Sequence, residues 1–359
     1  MQDEEGFINL KGELVMKKSM LLVLSAMLLF TFALAGCGNK SGGTNAGGAE
    51  GAEDGGKKLK VGMVTDMGSV NDKSFNQSAW EGLQKLRDDL GYEVKYLEPK
   101  NDGEVEPNLN QFVKGGYDLT WATAATLDKA VTKIAQENPD SKLGIVDSDI
   151  IVPNVASVSF KENEGAFLVG VIAGSMTKSN KIGFVGGMEI PVIKRFEAGF
   201  REGVKAVNPD ASFKAIYTGQ FTRVDMGKSA ASTLYDDGVD IIFHASGLTG
   251  NGVFNEAKER VKRGDRVWVI GVDKDQSLEF GDDVTLTSMI KKVDEAVYTI
   301  SKALADGNFP GGKVTSMGLK EKGVDIAPTS DKNVPKDILD KVEEYRAKIV
   351  NGEIEVPTT

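Results

Sequence analysis

Imidazole and thiol chemistry have one residue each in this chain, His244 and Cys37. A Ser-His-Asp arrangement would have to be built on His244, and no Gly-x-Ser-x-Gly elbow offers the nucleophile. Zinc would need three or four His and Cys ligands, which the sequence does not hold. Gly183-Phe184-Val185-Gly186-Gly187 lacks the spacing and the Lys-Ser/Thr of a phosphate-cradling loop, and no dinucleotide fingerprint occurs. Those glycines read as tight strand-to-helix turns. Asp147-Ser148-Asp149 has the donors of a calcium site, yet an Asp-x-Asp at a strand end reads first as a turn and cap. His244 ends an apolar run and reads as a structural or cleft-lining residue. The expectation is a chain that is not an enzyme and has no catalytic residues, metal or cofactor.

What remains suits the holding of a small polar aromatic molecule. Asp66 follows an apolar run at a point where a carboxylate can accept from ligand N–H groups. Val70-Asn71-Asp72-Lys73-Ser74-Phe75-Asn76 is a polar loop feeding a helix, with Asn71, Asp72 and Ser74 competing to cap it. Phe75 either staples that helix to a sheet or offers a face on which a planar base stacks, a contact worth ~1–3 kcal/mol per base. Phe221, in Tyr217-Thr218-Gly219-Gln220-Phe221-Thr222, sits in an equivalent turn further on, so the two aromatics could sandwich one ring. Asp273 and Lys291 end two later apolar runs and could fix vicinal hydroxyls, or could form a surface ion pair of little consequence.

Positioning such residues requires strands, and the chain supplies them in alternation with helices. Apolar runs at 59–64, 93–97, 119–122, 143–146, 155–160, 182–185, 213–217, 240–244, 267–272 and 284–290 read as strands. Amphipathic stretches at 74–90, 127–138, 164–177, 193–207, 228–236, 253–261, 293–306 and 336–349 read as helices. Alternation of this kind predicts an α/β fold of parallel sheets flanked by helices, with ligands just beyond the carboxyl ends of strands. The strands are too numerous for one comfortable sheet, so two lobes with a hinged ligand cleft are expected. Lobe 1 is read as 59–159 plus 273–309 and lobe 2 as 160–272 plus 310–359. Pro153-Asn154, Gly271–Asp273 and Gly307–Gly312 are the expected crossings, because their residues tolerate unusual backbone angles.

The N-terminal part carries an address. Lys17 and Lys18 precede the apolar run from Met20 to Leu34, and Leu34-Ala35-Gly36-Cys37 resembles a bacterial lipobox, in which the cysteine is acylated and becomes the first mature residue. Residues 1–36 are therefore read as an upstream extension and lipoprotein signal peptide, with Met16 the natural start because Asp3, Glu4 and Glu5 do not suit a signal-peptide n-region. Residues 37–58 are read as the lipidated cysteine and a flexible Gly-rich tether. Acyl chains would hold the protein on the extracytoplasmic face of the cell membrane. The net charge of -10 argues against nucleic acid as a partner.

Long motifs then become recognisable. Val64-Thr65-Asp66 with Val70–Gly82 closely resembles the signature of the basic membrane protein family, the purine nucleoside receptor A type of ABC-transporter substrate-binding lipoprotein. The likeness continues through 153–158, 164–168, 181–188, 195–200, 271–276 and 287–291, covering nearly all of the chain after the tether. It implies a two-lobed type I periplasmic-binding-protein fold with a purine nucleoside, such as inosine, guanosine or adenosine, in the cleft. By the resemblance, Phe75 and Phe221 sandwich the base, Asp66 and Asn76 with Ser74 nearby read its polar edge, Asp273 and Lys291 hold the ribose, and Gly247 lines the cleft through its backbone. It further implies a monomer that delivers its ligand to an ABC permease and its cytoplasmic ATPase. Two other readings are a receptor of the same fold for a sugar or autoinducer, and a nucleoside hydrolase using Asp147 and Asp149 with calcium.

Overall fold

The computed structural model describes residues 58–359. Cys37, the apolar run before it, the start at Met16 and the tether from Gly38 to Gly56 lie outside them. No helix among the described residues is long and apolar enough to cross a membrane.

Two six-stranded sheets organise the described chain. The first contains β1 (Lys60–Thr65), β2 (Glu93–Leu97), β3 (Leu119–Thr123), β4 (Leu143–Val146), β5 (Val155–Phe160) and β11 (Lys313–Met317), in the order β11-β5-β4-β3-β1-β2 and parallel throughout. The second contains β6 (Lys181–Gly186), β7 (Ser212–Tyr217), β8 (Ile241–Ala245), β9 (Trp268–Asp273), β10 (Thr285–Lys291) and β12 (Val324–Ile326). Its order, β12-β10-β9-β8-β6-β7, repeats the first, with only β12 antiparallel. The central strands β3, β4, β5 and β8 are buried at every position. Burial on both faces is what helices on either side of a parallel sheet impose, and it explains why these strands are built mostly of apolar residues, with small Ser and Thr and one His among them.

Among the described residues, the helices are α1 (Phe75–Leu90), α2 (Val105–Lys114), α3 (Asp128–Glu137), α4 (Glu162–Met176), α5 (Pro191–Val207), α6 (Val224–Asp236), α7 (Gly250–Lys262), the short α8 (Ser277–Phe280), α9 (Val293–Ala305) and α10 (Lys336–Val350). α4 and α5 lie backbone to backbone. A Cβ on Gly203 would collide with the Phe167 carbonyl, so this crossing admits no side chain there.

The lobe boundaries differ from the expected ones. β10 belongs to the second sheet, with Ser288 opposite Gly271, so of the stretch 273–309 it is α9 that returns to the first lobe, where Asp294 N donates to Ser78 Oγ at 3.3 Å. β11 belongs to the first sheet, with Thr315 opposite Val158, against the expectation that 310–359 lies in lobe 2. The crossings run through 160–162, 291–293 and 317–324. The first two pass through Lys161 (φ -91, ψ 69) and Lys292 (φ -82, ψ 62), a backbone any residue can adopt. The residues that tolerate unusual angles lie instead in turns within the lobes: Asn154, for example, closes a loop before β5 by donating to the carbonyls of Ala135, Asn138 and Ser141.

Candidate functional site

The carboxyl ends of the strands of both sheets face one cavity holding about 650 Å³ of atom-free space, its mouth included. One wall is Phe75, the first residue of α1. The competition to cap this helix is won by Asp72, whose carboxylate accepts from the backbone N–H groups of Ser74 (2.8 Å), Asn76 (2.9 Å) and Gln77 (3.1 Å). Phe75 is half-buried, lining the cavity while its flank packs on the core.

The opposite lobe contributes Phe221 from the loop after β7. Buried Thr249 holds this loop: its N–H donates to the Phe221 carbonyl (3.0 Å), and its hydroxyl donates to the Gln220 carbonyl (3.2 Å) and accepts from Arg223 N (3.0 Å). Gly187 makes room for the ring, since a Cβ there would strike its edge. Gly247, at φ +53, turns the chain after β8 along the cavity floor.

A polar corner lies between these walls in the first lobe. The Asn76 amide spends both N–H groups on Asp66 Oδ1 (2.9 Å) and Asp72 Oδ2 (3.1 Å), and its carbonyl accepts from Thr123 Oγ1 (2.8 Å). Asp66 Oδ1 also accepts from Gly68 N (2.7 Å). Burial pushes the Asp66 carboxyl up to about 6, against the lowering effect of the Asn76 and Gly68 hydrogen bonds. Near neutrality this group can serve as acceptor or, when protonated, as donor.

Lys291 marks the other end. It is 1% exposed, and its ammonium sits 2.6 Å from Asp147 Oδ1 and 3.0 Å from Glu162 Oε1, while Glu162 Oε2 meets Arg195 Nε at 2.6 Å. The rings of Phe75, Phe160 and Phe196 surround it, with centroids 5.0, 5.1 and 5.6 Å away. Burial alone would lower the Lys291 pKa, but Asp147, Glu162 and Asp273 hold it above its ordinary value. Asp273 shares the site: burial raises it to about 7, opposed by Lys291 and by the hydroxyl of Ser74, which donates to its Oδ2. Asp147 follows β4 and Asp273 ends β9, equivalent strands of the two sheets, and both adopt left-handed backbone at φ 63 and 65. Strain at matching strand ends turns the two carboxylates toward the same cavity.

Asp66, Phe75, Asn76, Phe221, Gly247, Asp273 and Lys291 thus converge on one cavity. Ser74 does not line it; fully buried, it stands behind Asp273. Asp273 and Lys291 are buried, not a surface pair. Asp72, Asp147 and Phe196 also line the cavity and were not among the expected site residues. Asp147 carried a usable signal, a carboxylate at a strand's end, which its pairing with Asp149 obscured. Asp149 is exposed, and no group of side chains among the described residues is arranged to hold a metal ion. His244 is fully buried behind the wall, where burial lowers it to about 4, against a hydrogen bond with Gln276.

Comparison with known proteins gives the family and the fold. The chain is 44% identical to the CD4+ T-cell-stimulating antigen of Listeria innocua, over 95% of this chain and 99% of that one. It is 38% identical to the ABC transporter nucleoside-binding protein BmpA of Lactococcus lactis, over 96% of this chain and all of that one. A solved ABC transporter solute-binding protein from Aeropyrum pernix superposes with a TM-score of 0.77 at 30% identity, covering 84% of this chain and 94% of that chain, so the two lobes form a periplasmic-binding fold. Residues 59–359 match the Bmp family, described as ABC transporter substrate-binding protein PnrA-like, and the chain belongs to that family of ABC transporter substrate-binding proteins.

Proposed function

We propose that the protein binds purine nucleosides between its lobes and delivers them to an ABC permease driven by a cytoplasmic ATPase. One observation carries the reading: two aromatic rings, Phe75 and Phe221, enter one cavity from opposite lobes, and the same cavity holds the buried ammonium–carboxylate set of Lys291, Asp147 and Asp273. The rings suit a planar base, with Asp66 beside them as acceptor or donor for its edge. The charged set suits vicinal hydroxyls, which donate to carboxylates and accept from an ammonium. Asn76 supports Asp66, its amide N–H groups being already engaged.

The similarity to a relative named as nucleoside-binding favours the same ligand class. Lipidation of Cys37 would keep the domain at the extracytoplasmic face, as a monomer beside its permease. The hydrolase reading has less behind it, because Asp147 is occupied by Lys291 and Asp149 is exposed. A thermal-shift screen of nucleosides, free bases, sugars and small acids tests the proposal. Inosine, guanosine or adenosine should raise the melting temperature most, with confirmation by calorimetry; stabilisation by sugars alone would overturn it, and release of free base would revive the hydrolase.

A further inference from the structure

Beside the cavity, a short stretch of the second lobe is fastened to a short stretch of the first. Gln276, after β9, is fully buried, and its backbone N–H donates to Ser288 Oγ at 3.0 Å. Its side-chain Oε1 accepts from Val272 N at 3.0 Å, which fixes the orientation of the amide. The Nε2 group then points across the cleft and donates to the Lys73 carbonyl at 2.9 Å. His244 Nε2 lies 2.9 Å from the same Oε1 and must be its donor, and His244 Nδ1 faces Ser246 Oγ at 3.3 Å. The imidazole therefore has one tautomer and one task, which is to hold Gln276.

Around this buried bond lies an outer layer. Lys274 of the second lobe meets Glu81 of the first at 2.5 Å, and Lys73 of the first meets Glu279 of the second at 3.4 Å while lying 4.8 Å from the centre of the Phe280 ring. None of Lys73, Glu81, Lys274, Gln276 and Glu279 lines the cavity. Contacts between lobes favour the closed arrangement and contribute nothing to an open one, so they shift the closing equilibrium without touching ligand. Lys73 also lies two residues before Phe75, so the grip falls on the segment that presents that ring.

We propose that Gln276, oriented by His244 and flanked by the Lys274–Glu81 pair, is a closure latch, a positioning residue that slows the reopening of the lobes and so sets how long a ligand is retained. The kinetic part rests on the reading that the cavity closes over a nucleoside; the lobe-separation part does not. Pulsed electron paramagnetic resonance on the full chain in detergent, with Cys37→Ser and spin labels on Lys114→Cys and Lys262→Cys, reports lobe separation from exposed helix ends in the two lobes. Gln276→Glu keeps the acceptor for Val272 but sets an oxygen against the Lys73 carbonyl, and it should move the population toward longer separations. Identical distributions in parent and variant overturn the proposal.

With inosine as the probe, the same variant should raise the dissociation rate about tenfold and leave association within about twofold. Equal dissociation rates overturn it as well. Should Gln276→Glu fail to fold, the surface pair decides: Glu81→Lys and Lys274→Glu should each loosen closure, and the charge-swapped double variant should restore it. Absence of that rescue counts against the latch. A parent that binds no nucleoside overturns the functional reading instead, and the spectroscopic test of the latch still holds.

Discussion

The ammonium of Lys291, from the second sheet, lies 2.6 Å from the carboxylate of Asp147, at the end of a strand of the first. A charge pair this deep gains little over a well-packed apolar pair, but breaking it leaves an uncompensated buried charge. Lys291→Met should therefore strand Asp147, while Glu162 keeps Arg195 as its partner, and cost about 3–5 kcal/mol in urea unfolding. It should also remove an anchor for ligand hydroxyls. A loss below about 1 kcal/mol, the size expected of an exposed pair, would contradict the burial of this cluster.

Phe75 is half-buried, so truncating it removes little core. We expect Phe75→Ala to weaken nucleoside binding at least about tenfold, from a stacking contribution of ~1–3 kcal/mol. The loss in unfolding free energy should stay below that of a core Phe→Ala change, about 3–5 kcal/mol. Calorimetric titration and urea unfolding on the same preparations separate the two effects. Unchanged affinity would mark Phe75 as a staple between helix and sheet.

Asp273 predicts a pH dependence of stability. Burial lifts its folded pKa to about 7, above an ordinary carboxylate, so between about pH 4 and 7 the folded state keeps a proton that the unfolded chain has lost. Its contribution is thus fully present at low pH, falls as pH rises through that window, and is constant above it. Asp66 acts in the same direction up to about 6. The slope from one such group is at most about 1.4 kcal/mol per pH unit. Asp273→Asn should flatten the curve, and urea unfolding at closely spaced pH values would show it; parallel curves for parent and variant would exclude this origin.

The strands that carry the site were legible because burial on both faces writes a mostly apolar run, as in Leu143–Val146. Edge strands write at most an alternating one, which still sufficed for β2 and β7 but not for the other two. β11 reads Lys-Val-Thr-Ser-Met with no fully buried position, and β12 has three residues, so both went unread and the lobe boundaries shifted with them. α2 was hidden by Pro107, which a helix tolerates in its first turn. Within the site, Asp66, Asp273 and Lys291 drew notice by their positions at strand ends, whereas Asp147, placed in the same way, did not. The division of labour in Asp72-Lys73-Ser74 was not legible: which oxygen caps the helix and which holds Asp273 depends on a second lobe brought alongside, a relation of 199 residues along the chain for Ser74 and Asp273.

Gly187 offers a test of the second aromatic wall that leaves Phe221 itself in place. It follows β6 and is buried, and a Cβ added there would overlap the Phe221 ring. The ring is not the end of a freely hinged loop, because Thr249 ties the backbone at Gln220, Phe221 and Arg223. Relief must therefore come from rotation of the Phe221 side chain, out of the position in which it faces the cavity. Gly187→Ala should lower nucleoside affinity by about as much as Phe221→Ala, while overpacking costs about 1–3 kcal/mol of stability. The double variant Gly187→Ala/Phe221→Ala then decides the mechanism. If Gly187 acts through the ring, the second substitution adds little to the first in calorimetry, whereas independent effects would add in full.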